Sequence, residues 1–116
     1  MNLVNKREQS YTAYIGRGGP LGNPFSHLPI DRTRAQVQVA TVEDAVACCE
    51  RWARGDPTWD AAIHPSQRER FLAAVDRLKE DDTLGCYCQA GAPCHGLVIM
   101  RLWAERRAAL AKALHG

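Results

Sequence analysis

T-L-G-C-Y-C-Q-A-G-A-P-C-H-G, residues 83–96, carries three of the five cysteines of a 116-residue chain and closes on a histidine and a glycine. Its first part, Thr83 to Cys88, is apolar at alternate and intervening positions alike, the pattern of a strand buried on both faces of a sheet. The loop QAGAPC follows, and residues 95 to about 114 then read as one long helix with Leu97, Val98, Leu102, Leu110 and Leu114 among its apolar positions. The stretch is therefore a strand-loop-helix unit. In an open α/β sheet such a unit places a ligand outside the carboxyl end of its strand.

Working outward, LeuValAsn at 3–5 and TyrThrAlaTyrIle at 11–15 supply the β-branched and aromatic residues of two short strands separated by a polar turn. Residues 16–30, GRGGPLGNPFSHLPI, form a loop rich in glycine and proline. AlaGlnValGlnVal at 35–39 alternates as a short strand does. Thr41 with Asp44 has the spacing of a helix N-cap, and Val42, Ala45, Val46, Cys49 and Trp52 share one face of the helix it would start. Gly55 and Pro57 end that helix. Ser66 and Glu69 predict a second start, followed by the stripe Phe71, Leu72, Val75 and Leu78. The sum is one α/β domain over residues 1–116: a small Rossmann-like fold of two or three layers, with a short sheet and a long C-terminal helix.

Composition narrows the function classes. A net charge of +2 is too small to capture DNA or a membrane surface electrostatically. Arg101, Arg106, Arg107 and Lys112 are interleaved with Glu105 and read as a solvated helix face, so no nucleic-acid partner is expected. No apolar run reaches the roughly 20 residues of a membrane span. The opening MNLVNKREQS lacks the apolar centre of a secretory signal, so a cytoplasmic location and reduced thiols are expected.

The cysteine stretch has three readings. Cys86, Cys88, Cys94 and His95 are the right types for a Cys3His zinc site, although C-x-C with an adjacent Cys-His pair departs from knuckle spacing. Alternatively, the helix start would hold an anion on its free N–H groups near Gly96. Cys94 would then be activated toward thiolate, and His95 would carry a proton. Plain packing is the third reading, and it is the one that fits Cys48 and Cys49 on their helix.

The other unusual stretch is I-G-R-G-G-P-L-G-N-P-F, residues 15–25. Its glycines let backbone approach a ligand, Arg17 suits a phosphate, and Asn23 can donate and accept toward a base or sugar. It lacks the G-K-[ST] ending of a P-loop.

These two segments together resemble a small bacterial and phage family catalogued as domain of unknown function 4326. The resemblance rests on Gly16, Arg17, Gly22, Asn23, Pro24, Phe25, Cys86, Cys88, Cys94, His95 and Gly96. Where members of that family often carry an acidic residue after the last glycine, this chain has Leu97. The resemblance supplies a map of residues without a reaction. The late segment is also similar to that of another uncharacterised Rossmann-like family, which has Cys-His-Arg there.

The expectation is thus a domain that binds or processes a nucleotide, nucleoside or other phosphorylated small molecule, as a hydrolase or transferase if it is an enzyme. Cys94 and His95 would be the reacting groups. Gly16, Arg17, Gly22, Asn23, Cys88 and Gly96 would bind the ligand, and no cofactor is expected. The alternative is a non-catalytic interaction module stabilised by zinc on Cys86, Cys88, Cys94 and His95. No paired carboxylates stand out for glycosidic cleavage; Asp31 and Glu43 are available by type alone.

Overall fold

The computed structural model describes residues 1–6, 10–86 and 93–115. Its organising element is the strand β5, Thr83–Cys86, which lies between β1, Asn2–Asn5, and β2, Ala13–Tyr14, with both neighbours parallel to it. Leu3 stands opposite Leu84 in the register, and Tyr14 opposite Gly85. The two N-terminal strands expected from their composition are therefore present but do not pair with each other. The fully buried Leu84 makes β5 the better centre, because it can be covered on both faces. Backbone bonds extend the ladder at both ends, from Thr12 N–H to Thr83 O at 2.9 Å and from Ile15 N–H to Gly85 O at 3.0 Å.

A second, two-stranded parallel sheet joins β3, Phe25–Ser26, to β4, Val37–Gln38. β4 falls inside the alternating 35–39 run. β3 emerges from what reads as continuous loop, because two residues are too few to show a period. Pro24 O begins the pairing by accepting from both Gln36 N–H and Val37 N–H.

Three α-helices pack around these sheets. α1, Val42–Ala53, starts as expected, with Thr41 Oγ1 accepting from Asp44 N–H at 3.0 Å, and it ends at Arg54 before Gly55, whose φ of +101° suits glycine. α2, Pro65–Asp76, begins two residues earlier than the Ser66–Glu69 spacing suggests. Pro65 occupies the first helical position, where its missing N–H costs nothing, and His64 Nδ1 caps Ser66 N–H instead. α3, Gly96–His115, is the long C-terminal helix.

The core runs through all of these elements. Trp52 of α1 meets Phe71 of α2 edge to face at 5.2 Å, and Phe25 of β3 meets Trp59 at 4.8 Å. Val98, Ile99 and Leu102 bring the first turns of α3 into the same core. Beyond Trp103 the helix leaves it: Leu110 is 52% exposed and Leu114 72%. Of the apolar positions expected along α3, Val98 and Leu102 are buried, whereas Leu97, Leu110 and Leu114 are exposed; residues 105–107 reach α1 and α2 through polar bonds such as Glu105 to Arg54 and Arg106 to Asp76. Among the described residues no helix is long and apolar enough to cross a membrane.

Truncating Leu84 to Ala should lower the unfolding free energy by about 2–5 kcal/mol. Leu114→Ala should change it by less than about 0.5 kcal/mol, as for a surface position. Urea denaturation of the two variants measures both.

Candidate functional site

Because β2 and β5 run parallel side by side, the segments that leave their carboxyl ends emerge at the same edge of the sheet. One is the glycine-rich loop 16–25. The other leads to Cys94, His95 and the start of α3. The structure brings the two together through His95, whose Nε2 lies 2.8 Å from Ile15 O and 2.9 Å from Leu21 O. Both partners are acceptors, so Nε2 carries the proton and the ring donates to both sides of the loop. Burial holds the imidazole below its ordinary pKa. The two carbonyl bonds oppose that shift, and the nearby Arg17 charge reinforces it. The buried ring is thus neutral and acts as a brace.

The loop is shaped by its own residues as well. Arg17 Nη2 donates to Phe25 O at 2.7 Å, tying the start of the loop to its end, and Tyr14 Oη donates to Arg17 O at 2.9 Å. Asn23 is buried and uses both ends of its amide: Nδ2 donates to Ala45 O in α1, and Oδ1 accepts from Phe25 N–H. Through these bonds Asn23 orients the loop. Gly18 has φ +95°. A Cβ on Gly22 would stand 2.9 Å from the Arg17 Cα, backbone that cannot give way. Gly16 lies against the Tyr14 ring, and Gly96 packs against Leu3 and Ile15.

Outside this braced loop lies an open cleft of about 420 Å³. Arg17, Gly18, Gly19, Gly22 and Asn23 form one wall. Arg34 and Gln36, which lead into β4, form the second, and Gln67 and Arg70 of α2 the third. Arg17, Arg34 and Arg70 are among its lining residues, and among the described residues no carboxylate lines it. Ion pairs occupy Arg51, Arg54, Arg68, Arg101 and Arg106 elsewhere, but among the described residues neither Arg34 nor Arg70 takes part in one. Gln36 Nε2 donates to Gln67 Oε1 at 2.6 Å, closing the cleft between its second and third walls.

Of the residues expected at a site, Arg17, Gly22 and Asn23 line the cleft, whereas Gly16, Cys94, His95 and Gly96 lie behind it in the core. The Cys94 thiol donates to Cys86 Sγ at 3.5 Å and itself accepts Gly96 N–H at 3.4 Å. The Gly96 N–H expected to meet an anion is therefore directed at sulfur. Cys88 lies outside the described residues, as do Tyr87 and Gly91. The proposed zinc set accordingly shows Cys86 and Cys94 together, with His95 Nε2 turned to carbonyls. Among the described residues no three His, Cys, Asp or Glu side chains are grouped to hold a metal. Cys49, buried in α1, has its thiol pushed up to about 12 by desolvation, as the packing reading implies. Asp31 and Glu43 are exposed and do not line the cleft.

Arg34, Gln36, Gln67 and Arg70 were not singled out by sequence reasoning. Gln67 and Arg70 do share a face at i, i+3, but in S-Q-R-E-R that face is indistinguishable from ordinary solvated helix.

The chain matches, over residues 2–105, the family described as a domain of unknown function, DUF4326. It belongs to that family. The matched span contains both the braced loop and the Cys-His-Gly segment, and it ends near the point where α3 leaves the core. No curated protein and no solved structure matches the chain.

Replacing His95 with Ala should cost about 1–3 kcal/mol, because buried carbonyls lose their donor. The folded-state pKa of His95 lies below 6.5, so the unfolded chain binds the proton more readily. The contribution of His95 is complete above pH 6.5 and declines as pH falls toward the folded-state value. Urea titrations between pH 7.5 and 5 should show wild type losing stability more steeply than His95→Gln.

Proposed function

We propose that the chain binds a phosphorylated small molecule, of the nucleotide, nucleoside phosphate or sugar phosphate kind, in the arginine-lined cleft. The observation that carries this reading is the grouping of Arg17, Arg34 and Arg70 around one open space, with no carboxylate among the described residues that line it. Like charges brought together repel, and a surface cleft retains them where an anion is the partner. Guanidinium forks match phosphate oxygens two at a time. The glycines at 18, 19 and 22 leave the loop backbone uncovered on that side.

The parallel order of β1, β5 and β2 supports a Rossmann-like use of the sheet, with the ligand loop at the carboxyl end of its strand. In this reading Cys94 and His95 are supports beneath the site. Both are buried, and both are engaged with groups of the fold. The described residues that line the cleft contain no acid–base pair, so the reading is one of binding.

Thermal or urea unfolding with inorganic phosphate, pyrophosphate and adenosine 5′-monophosphate tests the proposal. At about 100 times its dissociation constant, a ligand of this site should stabilise wild type by about 2.7 kcal/mol. Arg70→Ala and Arg34→Ala, both at exposed positions, should keep the unliganded stability within about 0.5 kcal/mol and lose most of that gain. Equal gains in wild type and both variants, or none with any anion, would refute the site.

A further inference from the structure

We infer that the phosphorylated ligand is a sugar phosphate read through its hydroxyl groups, and that Gln36 and Gln67 are the residues that read them. This rests on the arginine cleft being an anion site and goes on to name what is attached to the anion.

The argument begins with what lines the cleft and what does not. Among the described residues none of its lining side chains is aromatic, and Pro20 is the sole apolar one beyond the glycines. A nucleobase is held chiefly by stacking, on aromatic rings above all, and by a dry slot around its faces. Of the described rings near the walls in sequence, Phe25 packs edge to face on Trp59 and Phe71 on Trp52, and the Tyr14 ring lies against Gly16 with its hydroxyl donating to Arg17 O. Among the described residues the cleft therefore offers a base no aromatic platform.

It does offer a pair of carboxamides. The bond from Gln36 Nε2 to Gln67 Oε1 uses one donor hydrogen and one acceptor lone pair. The pair retains Gln36 Oε1, the second Gln36 hydrogen and both hydrogens of Gln67 Nε2, a mixed set of acceptors and donors. Hydroxyl groups both donate and accept, and a polyol presents them at close intervals, so this set is complementary to a sugar. Asn23 is not part of it, because both ends of its amide are engaged with the fold.

The two functions also lie on adjacent positions of the same elements. Arg34 and Gln36 are two residues apart on the segment entering β4, and Gln67 and Arg70 are one turn apart on α2. Each wall thus supplies one guanidinium and one carboxamide. A phosphate between Arg34 and Arg70 would carry its attached carbon skeleton toward the glutamine pair.

Isothermal titration calorimetry at fixed ionic strength compares inorganic phosphate, adenosine 5′-monophosphate and a panel of ribose 5-phosphate, glucose 6-phosphate and fructose 6-phosphate. The expected result is that at least one sugar phosphate binds ten-fold or more tightly than inorganic phosphate, and no more weakly than the nucleotide. Gln67→Leu and Gln36→Leu should abolish that ten-fold gain and leave the affinity for inorganic phosphate within about two-fold. Arg70→Ala should weaken every anion. Equal affinity for inorganic phosphate and all three sugar phosphates would overturn the inference, as would a nucleotide ten-fold tighter than any of them. In both cases the anion site itself would stand. If no anion binds, the arginine cleft falls, and this inference with it.

Discussion

A single imidazole N–H ties the glycine-rich loop to the start of α3. His95 stands where the chain turns into α3, and it donates at once to Ile15 O and Leu21 O, on either side of the loop's first glycines. A glycine-rich segment has much conformational entropy to lose on folding. Here two of its carbonyls are fixed by a group that is itself locked in the core. Arg17 to Phe25 O and Asn23 to Phe25 N–H then close the rest of the loop on itself. The loop wall of the cleft is thus fixed at Ile15, Leu21, Asn23 and Phe25 by bonds to the rest of the fold.

The same logic explains the chemistry of the Cys-His segment. A histidine that works as a proton carrier near neutrality needs access to solvent or substrate and a pKa near the working pH. His95 is 7% exposed, and its pKa is lowered mainly by desolvation. Cys94 caps Gly96 N–H with its sulfur and rests against Cys86, so the start of α3 is satisfied from within. Residue types that suggest reactivity thus serve to join a strand, a loop and a helix. The open cleft beside the loop is lined instead by Arg34, Gln36, Gln67 and Arg70, supplied by two other elements.

Much of the scaffold was legible from local pattern. The apolar run around Leu84, the Thr41 cap and the stripe of Phe71 and Val75 each reflect a rule that acts over a few residues. Where the reading departed from the structure, a longer-range term decided. β3 exists because Pro24 O finds Gln36 and Val37, eleven or more positions away. α2 starts at Pro65 because a proline and a histidine cap outcompete the later Ser-Glu spacing. The far half of α3 keeps Leu110 and Leu114 exposed, which no periodicity can reveal, because burial is decided by which elements pack against the helix. The cleft was half legible: its glycine loop is conspicuous in the sequence, and its other two walls are not.

By itself, then, the sequence determined the family, the mixed α/β composition and the loop from Gly16 to Phe25 as the place of unusual backbone. Glycine spacing, capping residues and a both-faces-apolar strand are properties of neighbours along the chain. Tertiary structure alone decided that β5 slips between the two N-terminal strands, that His95 is a brace, and that arginines at 17, 34 and 70 surround one space. The physical reason is that charge and hydrogen bonding act through distance in space. Three guanidinium groups spread over fifty-odd positions of sequence become one electropositive surface only after the sheet and α2 have packed.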